Sequence, residues 1–150
     1  MKFHYAQFRT FCHSTEEADR VRQSLIFISH GHAQTEKPVG IEEIRIEGHF
    51  GNTTILMENR LTHNREIRDF MARLASDETI QKRLSSELDA RIDDEGILYM
   101  RFDKQEAFCG RLALSTGEDV VLAQAKIAVY PVSRDAAISE FRAFLGGDIR

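Results

Sequence analysis

The chain has 150 residues, 42% of them hydrophobic and 29% charged, with a formal net charge of -4. That size and balance suit one domain with a real core, and exclude wholesale disorder, collagen-like repeats and a disulfide-stapled miniprotein. The negative balance also argues against indiscriminate nucleic-acid binding, so any RNA or DNA site must be a local patch on an acidic surface.

In chain order, Phe3 to His13 alternates apolar and polar residues (Phe3, Tyr5, Phe8, Phe11) and predicts a strand. Ser14, three residues before Glu17, has the capping-box form, so a helix is expected from Thr15 to Ile28 with Ala18, Val21, Leu25 and Ile28 on one face. Gly31 is the expected stop. Ala33 to Gly40, which contains Pro38, predicts a loop. Two strands follow, Ile41 to Glu47 and Thr53 to Leu61, joined by Gly48-His49-Phe50-Gly51-Asn52 as a hairpin.

Asn64 opens a helical region in which Ile67, Phe70, Met71 and Leu74 share a face. Ser76-Asp77-Glu78 breaks it, and Ile80, Leu84, Leu88 and Ile92 continue the stripe on a second helix. Asp93 to Gly96 predicts a turn, and Ile97 to Phe102 a strand whose Leu98, Met100 and Phe102 face one way. A short strand is expected at Arg111 to Ser115 and a long one at Val120 to Tyr130. Ser133 or Asp135 caps a last helix carrying Ala137, Ile138, Phe141 and Leu145. The order β-α-β-β-α-α-β-β-β-α predicts an α+β fold: a two-layer mixed sheet with helices packed on one face, in a single domain spanning 1–150. The other sheet face is a natural binding platform.

Three constellations could carry function. Arg101-Phe102-Asp103-Lys104-Gln105 ends a strand abruptly in polar groups. Arg101 and Lys104 could neutralise phosphates while Gln105 hydrogen-bonds a base edge or ribose hydroxyl; alternatively, Asp103 and Lys104 pair in solvent. In the hairpin, Phe50 could stack on an unpaired base, with His49 and Asn52 as polar contacts, or Phe50 could fold back into the core. Arg65 stands at a helix N-terminus, where backbone N–H groups favour anions, although Arg65, Asp69 and Arg73 are also spaced for pairing along a helix.

Catalytic and metal chemistry find less support. No nucleophile elbow, phosphate-binding loop, dinucleotide fingerprint or His-Glu-x-x-His occurs. Asp103, Lys104 and Glu106 could begin a nuclease metal site, but no second acidic cluster completes it. His30 and His32, even with His49 or Cys12, lack zinc spacing. Cys12 and Cys109 are expected as free thiols in a reducing compartment. No cofactor, metal or catalytic residue is therefore assigned. With no apolar run near ~20 residues and no signal-peptide pattern, a cytoplasmic protein outside the membrane is expected.

Several motifs together are similar to a known family. Phe11-Cys12-His13-Ser14-Thr15-Glu16, Glu47-Gly48-His49-Phe50-Gly51-Asn52, and Arg91-Ile92-Asp93-Asp94-Glu95-Gly96 with Leu98-Tyr99-Met100-Arg101-Phe102-Asp103-Lys104-Gln105 resemble archaeal RNA-binding proteins described as predicted exosome subunits. Tyr130-Pro131 and Arg134 complete the match over nearly the whole chain. The resemblance implies a ribosomal protein L5-like fold and non-catalytic binding of structured or looped RNA. It also implies an archaeal cytoplasm and partners in RNA-processing or ribosomal machinery. Thr53 stands where that family often has proline. Placed on these motifs, the expected RNA contacts are His49, Phe50, Asn52, Arg65, Arg101, Lys104 and Gln105. The alternatives are a module that docks a protein on its open sheet face, and a metal-dependent nuclease.

Overall fold

Five segments with strand alternation pair into one sheet, in the order β2-β3-β1-β5-β4. The structure is a computed structural model that describes residues 2–31, 40–48 and 50–146. The elements are β1 (Phe3–Cys12), α1 (Ala18–His30), β2 (Glu42–Glu47), β3 (Thr53–Leu61), α2 (Asn64–Ser76) and α3 (Glu78–Arg91). They continue with β4 (Ile97–Asp103), α4 (Lys104–Phe108), β5 (Val120–Ile127) and α5 (Arg134–Leu145). The α+β class stands as expected. The expected loop at Ala33–Gly40 falls outside the described residues except for Gly40, as do His32, His49 and Gly147.

The chain divides into two compact units. One comprises Met1–Ala6, Leu61–Met100 and Gln124–Arg150, the other Gln7–Arg60 and Arg101–Ala123. In the first, α2, α3 and α5 pack on one another. Ile67, Phe70, Met71 and Leu74 of α2, Ile80, Leu84 and Leu88 of α3, and Ala137, Ile138 and Phe141 of α5 are all buried, as their helical spacing predicts. The Phe3 ring lies 6.1 Å from Phe141 and 6.5 Å from Phe144, the second contact edge-on. Asp77 ends α2 and caps α3, accepting from Ile80 N at 3.1 Å; Ser133 caps α5 through Ala136 N. The turn into β4 needs Gly96 at φ 77, and Ala137 Cβ would sit 3.4 Å from any added side chain there.

In the second unit, α1 covers one face of the local strands. Ser29 Oγ accepts from the buried Asn59 amide at 2.9 Å, and Arg22 forks onto Glu43 of β2 at 2.7 and 2.8 Å. Phe8, Thr10 and Cys12 of β1, Met57 of β3, Phe102 of β4 and Val121 of β5 are buried. Burial at both Phe3 and Ala6 shows that β1 changes phase between them. Thr10 and Cys12 therefore point inward, and Phe11 points out.

Four details differ from the sequence expectation. Helix α1 begins at Ala18, not Thr15, because Ser14 to Glu17 form a turn closed by Glu16 N to His13 O (2.9 Å), and Ser14 caps nothing. Residues 104–108 form helix α4, while Arg111–Ser115 contributes only one bridge, Leu114 to Phe102. The order is thus β-α-β-β-α-α-β-α-β-α. Strand β5 stops at Ile127, and Tyr130 beyond it is wholly exposed. The sheet is antiparallel rather than mixed: β2 pairs β3 with Ile44 opposite Leu56, and bonds from Ala128 N to Lys2 O, Ile127 N to Gly96 O and Lys104 N to Asp119 O fix the same sense elsewhere. Strands β1 and β2 run the same way, but β3 lies between them.

Phe141→Ala should cost about 3–5 kcal/mol in urea unfolding, since the ring is fully buried. Ile44→Ala, at a 54% exposed position, should change stability by less than ~0.5 kcal/mol in the same measurement.

Candidate nucleic-acid interface

The polar end of β4 is built around Lys104. Asp103 caps α4, its carboxylate accepting from Glu106 N at 2.8 Å while its own N–H donates to Ala113 O at 2.8 Å. Lys104 follows, and its side chain is only 3% exposed. Its ammonium donates to Phe11 O at 2.7 Å, pairs with Asp119 at 2.8 Å and reaches both Glu16 oxygens at 3.2 Å. Its backbone N–H donates to Asp119 O at 3.2 Å, and its carbonyl accepts from Ser24 Oγ at 3.0 Å. This corrects the expectation of Lys104 as a phosphate contact or a solvent partner of Asp103. The cation is internal, with its partners drawn from β1, the turn before α1 and the start of β5.

The other members of the segment do reach the surface. Arg101 is exposed, and its guanidinium donates to Gly117 O at 2.7 Å; because that partner is a neutral carbonyl, the charge is not cancelled there. Gln105 is exposed and donates to Asp119 at 3.1 Å. The acids suggested for a metal site are otherwise engaged, Asp103 in the cap and Glu106 with Arg111 at 2.8 Å. Among the described residues no three His, Cys, Asp or Glu side chains gather as a metal would need, and no helix is long and apolar enough to cross a membrane.

The hairpin resolves one alternative. Phe50 is 93% exposed, so its ring does not fold into the core. Gly48 N donates to Asn52 O at 2.7 Å, and Gly51 takes φ 74, a conformation that favours glycine. Asn52 is exposed, and His49 lies outside the described residues. Arg65 is exposed at the start of α2 in the other unit, beside a shallow groove lined with Arg68 and Phe144.

Strand order decides how the two loops relate. The hairpin tip and the end of β4 stand at the same end of the sheet, because β3 begins where β1 ends and β4 ends where β5 begins. They occupy opposite margins, with β1 and β5 between. At ~4.8 Å per strand they are separated by about 14 Å. The loops are not neighbours, and what lies between them is the open face of the strands.

That face carries side chains the sequence did not single out. Arg9 bonds Glu58 at 2.6 Å and Gln7 reaches the same carboxylate at 3.5 Å, which puts β1 residues 7, 9 and 11 on the face of Glu58. Ile44 pairs with Leu56 and Ile46 with Thr54 on that face. Leu122 stands out between buried Val121 and Ala123, opposite Arg101 in the register fixed by Lys104 and Asp119. Phe11, 40% exposed, is an aromatic of this surface. The signal for it was the alternation through Thr10 and Cys12, hidden by the phase change at the start of β1.

The chain as a whole is similar to known proteins. A family model described as RNA binding matches residues 5–127. The RNA-binding protein PAB1135 of Pyrococcus abyssi is 31% identical over 150 residues, which cover 99% of this chain and 97% of that protein. The structure of Mth689, a DUF54 protein from Methanothermobacter thermautotrophicus, is similar with a TM-score of 0.79 and 26% identity, covering 97% of this chain and 99% of that one. The uncharacterized protein MJ0213 of Methanocaldococcus jannaschii is 26% identical over 133 residues, 85% of this chain and 87% of that protein.

Removing the buried cation should be costly, because two carboxylates and a carbonyl lose their common partner. Lys104→Met is expected to destabilise by about 3 kcal/mol in urea unfolding, and an unchanged midpoint would contradict the assignment. The hydrogen bond from Lys104 holds the Asp119 carboxyl below its usual range. A folded-state value below the unfolded one stabilises the fold above about pH 4, and that contribution is lost as pH falls through the folded value. The Asp119 carboxyl resonance should therefore titrate below about pH 4 in the native chain.

Proposed function

The chain belongs to the RNA-binding family whose model spans residues 5–127, and from that premise we propose that it binds RNA and performs no reaction on it. The observation that carries the proposal is the end of the sheet where Phe50, Asn52, Arg101 and Gln105 are all exposed on one unit. An exposed aromatic, a cation and two amides supply stacking, phosphate attraction and base-edge hydrogen bonding. Lys104 supports that surface from inside. Arg65 contributes to the reading only as a phosphate contact on the other unit.

The finer picture is a single RNA-binding domain over 1–150 that acts in an archaeal cytoplasm on structured or looped RNA. In it, the chain has a ribosomal protein L5-like fold and works beside RNA-processing machinery of the exosome kind, or ribosomal proteins. Motif resemblance supports that picture.

On a chain with a net charge of -4, binding should be local and strongly weakened by salt through a few phosphate contacts. Structured and single-stranded RNAs titrated by fluorescence anisotropy at two salt concentrations test this. Arg101→Ala should weaken binding evenly across sequences and make the salt slope shallower by about 1. The absence of binding to either RNA at low salt would end the proposal.

A further inference from the structure

The two exposed loops stand about 14 Å apart at opposite margins of the sheet, so RNA that reaches both must cross the strands between them. Its path on the open face runs over Phe11 of β1, past Leu122 further along β5, with Leu56 and Ile44 towards the hairpin. Arg101 lies opposite Leu122 on the far side, and Arg9 lies two residues before Phe11 on β1. No described helix covers this face in its unit: α1 and α4 pack together, and α1 joins the opposite face through Asn59 and Glu43.

We infer that this face is a stacking platform for unpaired bases, with Phe11 as its central ring, so that the RNA bound is single-stranded or looped where it crosses the sheet. The inference rests on the RNA-binding reading above and names the kind of RNA and the residue that selects it. Three observations carry it. Phe11 turns outward while Thr10 and Cys12 on either side are buried, so the strand holds the ring at the surface. The Phe11 carbonyl is fixed at 2.7 Å by the buried Lys104 ammonium, which makes the ring's attachment rigid. The platform is also bordered by a guanidinium whose partner is a neutral carbonyl, the charge that suits a phosphate chain passing the edge of β4. An outward ring on a pleated surface can meet a base face, whereas paired bases inside a duplex present no face to it.

Phe11→Ala, Phe11→Tyr and Phe50→Ala in the full chain, titrated against a single-stranded oligouridine and a duplex RNA of equal length, test the platform. Phe11→Ala should weaken single-strand binding on the order of 10-fold, the loss of one base stack, and leave duplex binding within about 2-fold. Phe11→Tyr should restore it, and circular dichroism of all variants should match the parent. Parent-like single-strand affinity in Phe11→Ala would overturn the platform while leaving RNA binding intact. Failure of the parent chain to bind any RNA would overturn both. If the parent is a dimer by light scattering and Phe11→Ala is a monomer, the face belongs to a second copy and the inference falls.

Discussion

A buried lysine holds together the end of the sheet beside the hairpin and the exposed Arg101. Removing an ammonium from water costs several kcal/mol, and the cost is offset only if its donors are all matched. Lys104 meets that condition with Phe11 O, Glu16 and Asp119, and its own N–H and C=O are bonded to Asp119 and Ser24. Two stretches of chain far apart in sequence, 11–24 and 104–119, meet around that one residue. Helix α4 is therefore more than a continuation of β4. It is five residues long and capped by Asp103, and it carries the cation to the place where the others converge.

The same contacts orient the surface. The bond to the Phe11 carbonyl fixes the backbone at the residue whose ring alternation turns outward, and holding the first residues of β5 sets Leu122 against Arg101. Stability and recognition thus share residues while using different atoms. The Lys104 ammonium with Glu16 and Asp119 lies inside the sheet end, whereas the Phe11 ring and the Arg101 guanidinium are exposed.

Much of the fold was legible in the chain. Strand β3 at Thr53–Leu61, the start of α2 at Asn64, the break at Asp77 and the stop at Gly31 all follow from alternation, helical spacing and caps. The candidate site was legible only in part. Phe50, Arg101 and Gln105 were found as exposed polar or aromatic loop residues and are exposed. Lys104 was misjudged, because nothing local marks a lysine whose partners lie 88 and 15 positions away, at Glu16 and Asp119. Helix α4 was missed although Asp103, three residues before Glu106, has the form of a cap; the preceding β-rich run outweighed it.

The sequence by itself determined the class of fold, the helical faces and the acidic balance, because these depend on periodicity and composition along a continuous segment. It also carried family membership, in motifs that fall at the loops and at the end of β4. Only the tertiary structure decided that the two loops share one end of the sheet without touching, that Phe11 and not Thr10 faces out, and that Lys104 is internal. Each of those depends on strand order, on a single change of phase in β1, or on a charge finding distant partners, and none of these leaves a local trace in the residues that carry it.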